Sequence, residues 1–119
     1  DVADVGRNGL TAARQWAEAE LAALGEVSLV DTLIIVSELL ENAYLHAGGP
    51  SQLRIHHAED PCEVTVAVAD GGRGEPRLRA PDHRGGRGLL LVDRLSLAWG
   101  VSHHDDGKLV WARVDCAER

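Results

Sequence analysis

Two glycine clusters mark the ends of a long segment that lacks hydrophobic periodicity. The first, at residues 70–74, follows an apolar run, and the second, at residues 85–88, precedes one. The segment between them carries glycines, prolines and charges, so residues 70–87 are predicted to form a loop. Regular elements are expected on either side of this loop, with no repeat or linker that would divide the chain further.

Hydrophobic periodicity and helix-end signals predict two helices before the loop. Between residues 8 and 24, apolar side chains recur at intervals of three and four, which is typical of an amphipathic helix. Ser28 with Asp31 resembles a capping box, so a second helix is predicted to begin there. This helix is expected to end at about Ala47, before the sequence Gly48-Gly49-Pro50.

Alternating and apolar segments predict four strands and a third helix. Residues 63–68 alternate as a half-buried strand does, and Asp105-Asp106-Gly107 is a hairpin signal. The predicted strands are 52–58, 63–68, 98–103 and 108–115, and the third helix is predicted at 89–97. This order of elements predicts an α+β sandwich with the helices on one face of the sheet.

Length, charge and composition limit the class of protein. With 119 residues, a single domain over residues 1–119 is expected. The net charge of −7 argues against a nucleic-acid partner, since no surplus of basic residues can neutralise phosphates. No apolar stretch approaches the roughly 20 residues of a transmembrane helix, and no secretory leader is found, so a cytoplasmic protein is expected. Because methionine is absent, the chain is expected to be trimmed at its start.

The cysteines and histidines give no sign of a metal site. Cys62 and Cys116 are the only cysteines, and neither belongs to a CxxC motif. They are predicted to be buried free thiols on strands, with a single bridge as the alternative. The histidine pairs at 56–57 and 103–104 would point to opposite faces of strands, so no structural zinc site is predicted.

Glu38 and Asn42 place a carboxylate and a carboxamide on one face of the second predicted helix. Their spacing corresponds to about 6 Å along the axis, and His46 continues the stripe. Such oxygen atoms suit Mg²⁺, which takes one or two protein oxygens with phosphates and water. Asn42 is predicted as the magnesium ligand and Glu38 as a general base. A solvated helix face is the alternative interpretation of this pair alone.

The glycine clusters extend the predicted site to a nucleotide. Asp70 ends a predicted strand, where its carboxylate can accept a hydrogen bond from an exocyclic amine such as that of adenine, and the glycines permit close approach of a flat ring. Residues 86–89 open the third helix, whose free N–H groups and dipole favour an anion, and Arg87 adds a positive charge. Each signal alone also fits an ordinary turn, but together they indicate a nucleotide with its metal ion.

The motifs resemble those of a known superfamily. ELLENAYLHA resembles the N box of the GHKL ATPases, which include gyrase, the MutL mismatch-repair proteins and the sensor histidine kinases. VAVADGGRGEP is similar to their first glycine box, and HRGGRGLLLVDRLSLAWGV to their second. SELLENA, HAGGP, GGRGLLLVD and the WG before a GK-x-VWA hairpin most resemble anti-sigma-factor serine kinases of the bacterial partner-switching type. The resemblance covers about residues 10–114 and implies a Bergerat-type fold, a two-layer sandwich with about three helices on one face of a mixed sheet.

The resemblance also implies a role for each matching residue. Glu38 would be the catalytic base, Asn42 the magnesium ligand, and residues 75–85 the ATP lid. His46 matches a histidine that is common after the N box and is expected to be structural. The implied nucleotide-binding residues, with Asp70 reading adenine, are Asp70, Gly72, Gly74, Gly86, Arg87, Gly88 and Leu89.

Two departures from the family pattern are expected to matter. Relatives usually carry Thr at x of GK-x-VWA, where this chain has Leu109. Leu109 cannot make the hydrogen bond that helps to hold the adenine side, so a loss of roughly 0.5–1.5 kcal/mol in nucleotide binding is predicted. Relatives also have a strand before the first helix, which is expected to be missing here or to lie in trimmed sequence.

The function implied by the resemblance is a serine/threonine protein kinase that uses ATP and Mg²⁺. It would phosphorylate an anti-sigma antagonist and so regulate a sigma factor, and these two proteins are the expected partners, with a homodimer also implied. The first alternative is a nucleotide-binding regulatory module without kinase activity, to which Leu109 gives weight. The second is the ATP-binding domain of a sensor histidine kinase, which the lack of a phosphoacceptor helix disfavours.

Overall fold

The computed structural model describes residues 2–4, 9–22, 26–46, 50–58, 62–70, 88–104 and 107–115. Their helices are α1 (Gly9–Leu21), α2 (Glu26–His46) and α3 (Gly88–Leu95). Their strands are β1 (Val2–Asp4), β2 (Pro50–Ala58), β3 (Glu63–Asp70), β4 (Ala98–His104) and β5 (Gly107–Asp115). None of the helices in this part of the chain is both long and apolar enough to cross a bilayer.

The described strands form one five-stranded sheet in the order β1-β2-β3-β5-β4. Each pair of neighbouring strands is antiparallel, so the prediction of a mixed sheet is wrong for these strands. The reason lies in the path of the chain. The crossover through α3 makes β4 run parallel to β3, but β5 lies between these two strands and pairs with both.

One face of the sheet and the three helices enclose the core. Alternate residues of β3 are buried on this face, and a row of apolar residues on α2 packs towards it. The fully buried side chains of these two elements include Ile35, Val36, Leu39, Leu40, Val64, Val66 and Val68. An α+β two-layer sandwich with three helices on one face was predicted, and the structure confirms it.

On the opposite face of the sheet, Trp111 lies against the backbone of β4. Trp111 is paired with Gly100 across the β4–β5 ladder and with Ala67 across the β3–β5 ladder. A Cβ atom added to Gly100 would lie only 2.8 Å from Cζ2 of Trp111. Glycine is therefore required at position 100 for the indole ring to pack as it does.

A short strand precedes α1, contrary to the expectation that it would be missing. β1 pairs with the edge of β2, with Val2 opposite Arg54 and Asp4 opposite Gln52. Three residues are enough for this pairing. They are too few to show the alternation from which a strand is predicted, and the sequence analysis missed β1 for that reason.

The second helix begins before the predicted capping box. α2 starts at Glu26, so Ser28 lies in its first turn and the predicted N-cap at Ser28 is wrong. Val27 extends the apolar pattern of the helix upstream of Ser28. A pairing of Ser with Asp three residues later occurs inside helices too, so this signal alone does not fix where a helix begins.

The hairpin between β4 and β5 follows the prediction. His104 is paired with Gly107, the first residue of β5. Gly107 has a φ of 146°, in a region that side chains with a Cβ rarely adopt. Glycine at this position therefore suits the start of β5, while Asp105 and Asp106 lie outside the described residues.

Cys62 is disulfide-bonded, so the prediction of a free thiol is wrong for this residue. It directly precedes Glu63, which is paired with Asp115 at the end of β5. The only other cysteine in the sequence, Cys116, follows Asp115 and lies outside the described residues. The β3–β5 pairing gives the physical reason for the bond. It brings Glu63, which follows Cys62 in the sequence, next to Asp115, which precedes Cys116.

Candidate functional site

Glu38 and Asn42 lie one turn apart on α2, at the boundary between the core and solvent. Their neighbours Leu39 and Ala43 are fully buried. Asn42 is 9% exposed, whereas Glu38 is half-buried. The helix therefore presents the carboxylate and the carboxamide on one side, as their spacing predicts, with the amide held closer to the core.

Burial raises the pKa of Glu38 above its ordinary value. The negative charge of Glu41 raises this pKa further, while the positive charge of Arg14 lowers it. Arg14 belongs to α1 and donates a hydrogen bond from Nη2 to Oε1 of Glu41 at 3.1 Å. A carboxylate with a raised pKa binds a proton more readily, which is the property required of a general base near neutral pH.

Asp70 is the last residue of β3 and lies on the helix-facing side of the sheet. It continues the row of buried residues formed by Val64, Val66 and Val68. Its carboxylate is in contact with Lys108 of β5, whose Nζ lies 3.4 Å from Oδ1 of Asp70. The predicted base-reading carboxylate is thus part of a buried ion pair.

Lys108, and not Leu109, shares a face of the sheet with Asp70. The register pairs Asp70 with Lys108 and Ala69 with Leu109. Opposed residues of an antiparallel pair project to the same face, and successive residues project to opposite faces. The prediction that Leu109 removes a hydrogen bond beside Asp70 is therefore wrong, because the alternation of β5 turns the side chain of Leu109 away.

The third helix begins at the second glycine cluster, with Gly88 as its first residue. Leu89 is 4% exposed and belongs to the core cluster, so it anchors this end of α3 between the helices and the sheet. α3 also packs against α2, which carries Glu38 and Asn42. Its first turn contains no acidic side chain, so nothing in that turn neutralises the positive end of the helix dipole.

Part of the predicted site lies outside the described residues. This part comprises the predicted lid at residues 75–85, the side chain of His46, and Gly72, Gly74, Gly86 and Arg87. The roles of these residues stay predictions. The described members of the site are Glu38, Asn42, Asp70, Gly88 and Leu89.

The described donor atoms fit a magnesium ion that is shared with a phosphate ligand. Asn42 offers a neutral amide oxygen and Glu38 a carboxylate, both of which are hard donors that suit Mg²⁺. Among the residues that the structure describes, no group of three or more His, Cys, Asp or Glu side chains is placed to hold a metal ion. Magnesium at Asn42 would therefore depend on phosphate and water oxygens to complete its coordination shell.

Two residues of the site were missed in the sequence. Arg14 contacts Glu41 from a different helix, and Lys108 contacts Asp70 from a different strand. Both contacts join elements that are distant along the chain, so no local sequence pattern predicts them. One available signal was that Lys108 belongs to the GK-x-VWA motif on which the resemblance rests.

The comparison with protein families agrees with this geometry. Residues 7–114 match the model of a family described as the histidine kinase-like ATPase domain. The matched range includes every residue predicted for the site. No curated protein matches the chain.

Proposed function

Because the chain belongs to the family of histidine kinase-like ATPase domains, we propose that it is an ATP-dependent serine/threonine protein kinase. Its substrate is an antagonist protein that carries the serine or threonine. Its second partner is a sigma factor, which it holds or releases according to the phosphorylation of the antagonist. The likeness of its motifs to anti-sigma-factor kinases supports this choice within the family.

The observation that carries the proposal is the position and pKa of Glu38. A kinase acting on a hydroxyl group needs a base that orients the hydroxyl and accepts its proton. Burial and Glu41 raise the pKa of Glu38, and Asn42 lies one turn further along the same side of α2. This supports the proposal, because α2 presents the proposed base and the proposed metal ligand on the same side.

In the proposed reaction each described residue has one task. Glu38 orients the attacking hydroxyl and takes its proton, Asn42 holds the metal ion, and the start of α3 binds phosphate through its free N–H groups. Asp70 accepts a hydrogen bond from the base. A magnesium ion held at Asn42 would supply positive charge next to the phosphate oxygens.

The test is phosphoryl transfer from [γ-³²P]ATP to soluble proteins of the host organism, with the Glu38→Gln variant as the matched control. We expect label on serine or threonine of a protein substrate, and at least about 100-fold less label with the variant. Phosphoserine withstands acid, whereas phosphohistidine does not, so acid-labile label would instead indicate a histidine kinase. Label that does not depend on Glu38 would contradict the role of this residue.

One observation favours a nucleotide-binding regulatory module as the second candidate. The carboxylate of Asp70 is already paired with Lys108, which weakens the case for tight ATP binding and rapid turnover. A module of this kind would bind its partner protein without transferring phosphate. Complex formation with no acid-stable or acid-labile label on any protein would support this candidate over the kinase.

A further inference from the structure

Lys108 is the only lysine of the chain, and it lies directly opposite Asp70 in the β3–β5 register. Both residues stand at the end of the sheet where β3 ends and β5 begins. Both project to the side of the sheet on which the helices pack. The single ε-amino group of the protein is thus directed at the one carboxylate that the proposed function assigns to the nucleotide base.

Neither side chain of this pair reaches solvent. The side chain of Lys108 is 2% exposed and that of Asp70 is 0% exposed, with Nζ and Oδ1 separated by 3.4 Å. A base that is to form a hydrogen bond with Asp70 must therefore move groups that now cover the carboxylate. Among the residues that the structure describes, the ammonium group of Lys108 is a charged group in contact with this carboxylate.

An adenine amine cannot replace this ammonium group on equal terms. The amine is a neutral donor, so its hydrogen bond to the carboxylate lacks the charge–charge attraction that the ammonium group adds in a low-dielectric interior. Displacing Lys108 would also separate two buried charges, each of which is unfavourable in the interior without its partner. Binding of the base through Oδ1 of Asp70 must therefore overcome the loss of an ion pair.

We propose that Lys108 determines the nucleotide affinity of this protein by competing with the base for Asp70. In the free protein the ammonium group holds the carboxylate, so adenine nucleotides bind weakly. The inference rests on the proposed function, because it takes Asp70 as the residue that reads the base. It assigns the control of nucleotide affinity to Lys108, one residue before Leu109.

Calorimetric titration of the full chain with ADP and Mg²⁺ tests the proposal. The variants are Lys108→Thr and, as the matched control, Leu109→Thr, which makes the same new side chain one residue away on the opposite face. We expect the Kd of Lys108→Thr to be at least about tenfold lower than that of the wild type, equivalent to about 1.4 kcal/mol. The Kd of Leu109→Thr should equal that of the wild type.

The three outcomes separate this inference from the proposed function. Equal binding by the wild type and Lys108→Thr overturns the inference and leaves nucleotide binding in place. If Lys108→Thr binds ADP and the wild type does not, the inference is supported. The free wild-type chain would then be unable to act as a kinase. Binding by neither protein, when both are folded by circular dichroism, overturns both.

A second measurement needs no substitution, and so holds even if Lys108→Thr fails to fold. Protein labelled with [¹⁵N]lysine should give a single side-chain signal, because the chain has one lysine. On addition of ADP and Mg²⁺ at millimolar concentration, we expect this signal to shift and the amine to become reactive towards an acetylating reagent. If calorimetry shows ADP bound while the signal and the reactivity stay unchanged, Lys108 does not leave Asp70 and the proposal is wrong.

Discussion

Arg14 of α1 donates a hydrogen bond to Glu41 of α2, with 3.1 Å between Nη2 and Oε1. The pair joins the first helix to the helix that carries Glu38. Arg14 lowers the pKa of Glu38 and Glu41 raises it, so the two partners act on this carboxyl in opposite directions. The packing of α1 on α2 thereby influences the basicity of the proposed catalytic residue.

Replacing Arg14 by Gln should raise the pKa of Glu38 further, because the substitution removes the charge that lowers it. The acidic limb of the phosphoryl-transfer profile should move to higher pH, and an NMR titration of the Glu38 carboxyl should show the same direction. Stability should change by less than about 1 kcal/mol, since both partners are partly exposed. Glu41→Gln is the matched control and should move the pKa of Glu38 downwards. Shifts in the same direction for both variants would show that these charges do not act on Glu38.

Glu38→Gln should become more stable relative to the wild type as pH rises. The pKa of Glu38 is raised in the folded state from the ordinary value of 4.5. The folded protein therefore holds this proton more tightly than the unfolded chain does, and the resulting stability is present below pH 4.5 and lost as pH rises through the folded pKa. The glutamine side chain does not titrate, so the variant does not lose stability through this deprotonation as pH rises.

Urea unfolding at pH 4 and pH 7 measures the effect. The difference in unfolding free energy, variant minus wild type, should be larger at pH 7. Glu20→Gln, at an exposed acidic position of α1, serves as the comparison for a charge removed elsewhere. A pH-independent difference for Glu38→Gln would mean that the pKa of Glu38 is not raised on folding.

Local patterns were sufficient to predict most elements but not their neighbours in the sheet. Periodicity of three and four predicted α1, end signals predicted α2, and alternation predicted β3, because these signals lie within one segment. The contact of Asp70 with Lys108 depends on β5 being the neighbour of β3, and the bond at Cys62 depends on the same pairing. The ion pair cannot be inferred without the strand order, and the sequence alone could give the bridge only as an alternative. The error concerning Leu109 has the same origin.

Gly100→Ala should destabilise the protein by about 1–3 kcal/mol, the usual range for overpacking. The added methyl group would meet Cζ2 of Trp111 at 2.8 Å, so the indole ring must move. Thermal unfolding followed by Trp fluorescence gives the change. The double variant Gly100→Ala/Trp111→Leu should lose less than the sum of the two single variants, because the smaller side chain removes the collision. Additive losses would show that the two residues are not in contact.

Reduction of the disulfide at Cys62 should lower the free energy of unfolding by about 2–4 kcal/mol, because the bond restricts the unfolded chain. Urea unfolding with and without dithiothreitol measures this, and a Cys62→Ser/Cys116→Ser variant, which should be insensitive to the reductant, is the control. Nucleotide affinity should stay unchanged, since Cys62 precedes the first residue of β3 and Asp70 is its last. With a rise of about 3.3 Å per residue, the two ends of β3 are more than about 20 Å apart. Equal unfolding midpoints with and without dithiothreitol would show that the bond does not form in solution. A change in ADP affinity on reduction would show that the two ends of β3 are coupled.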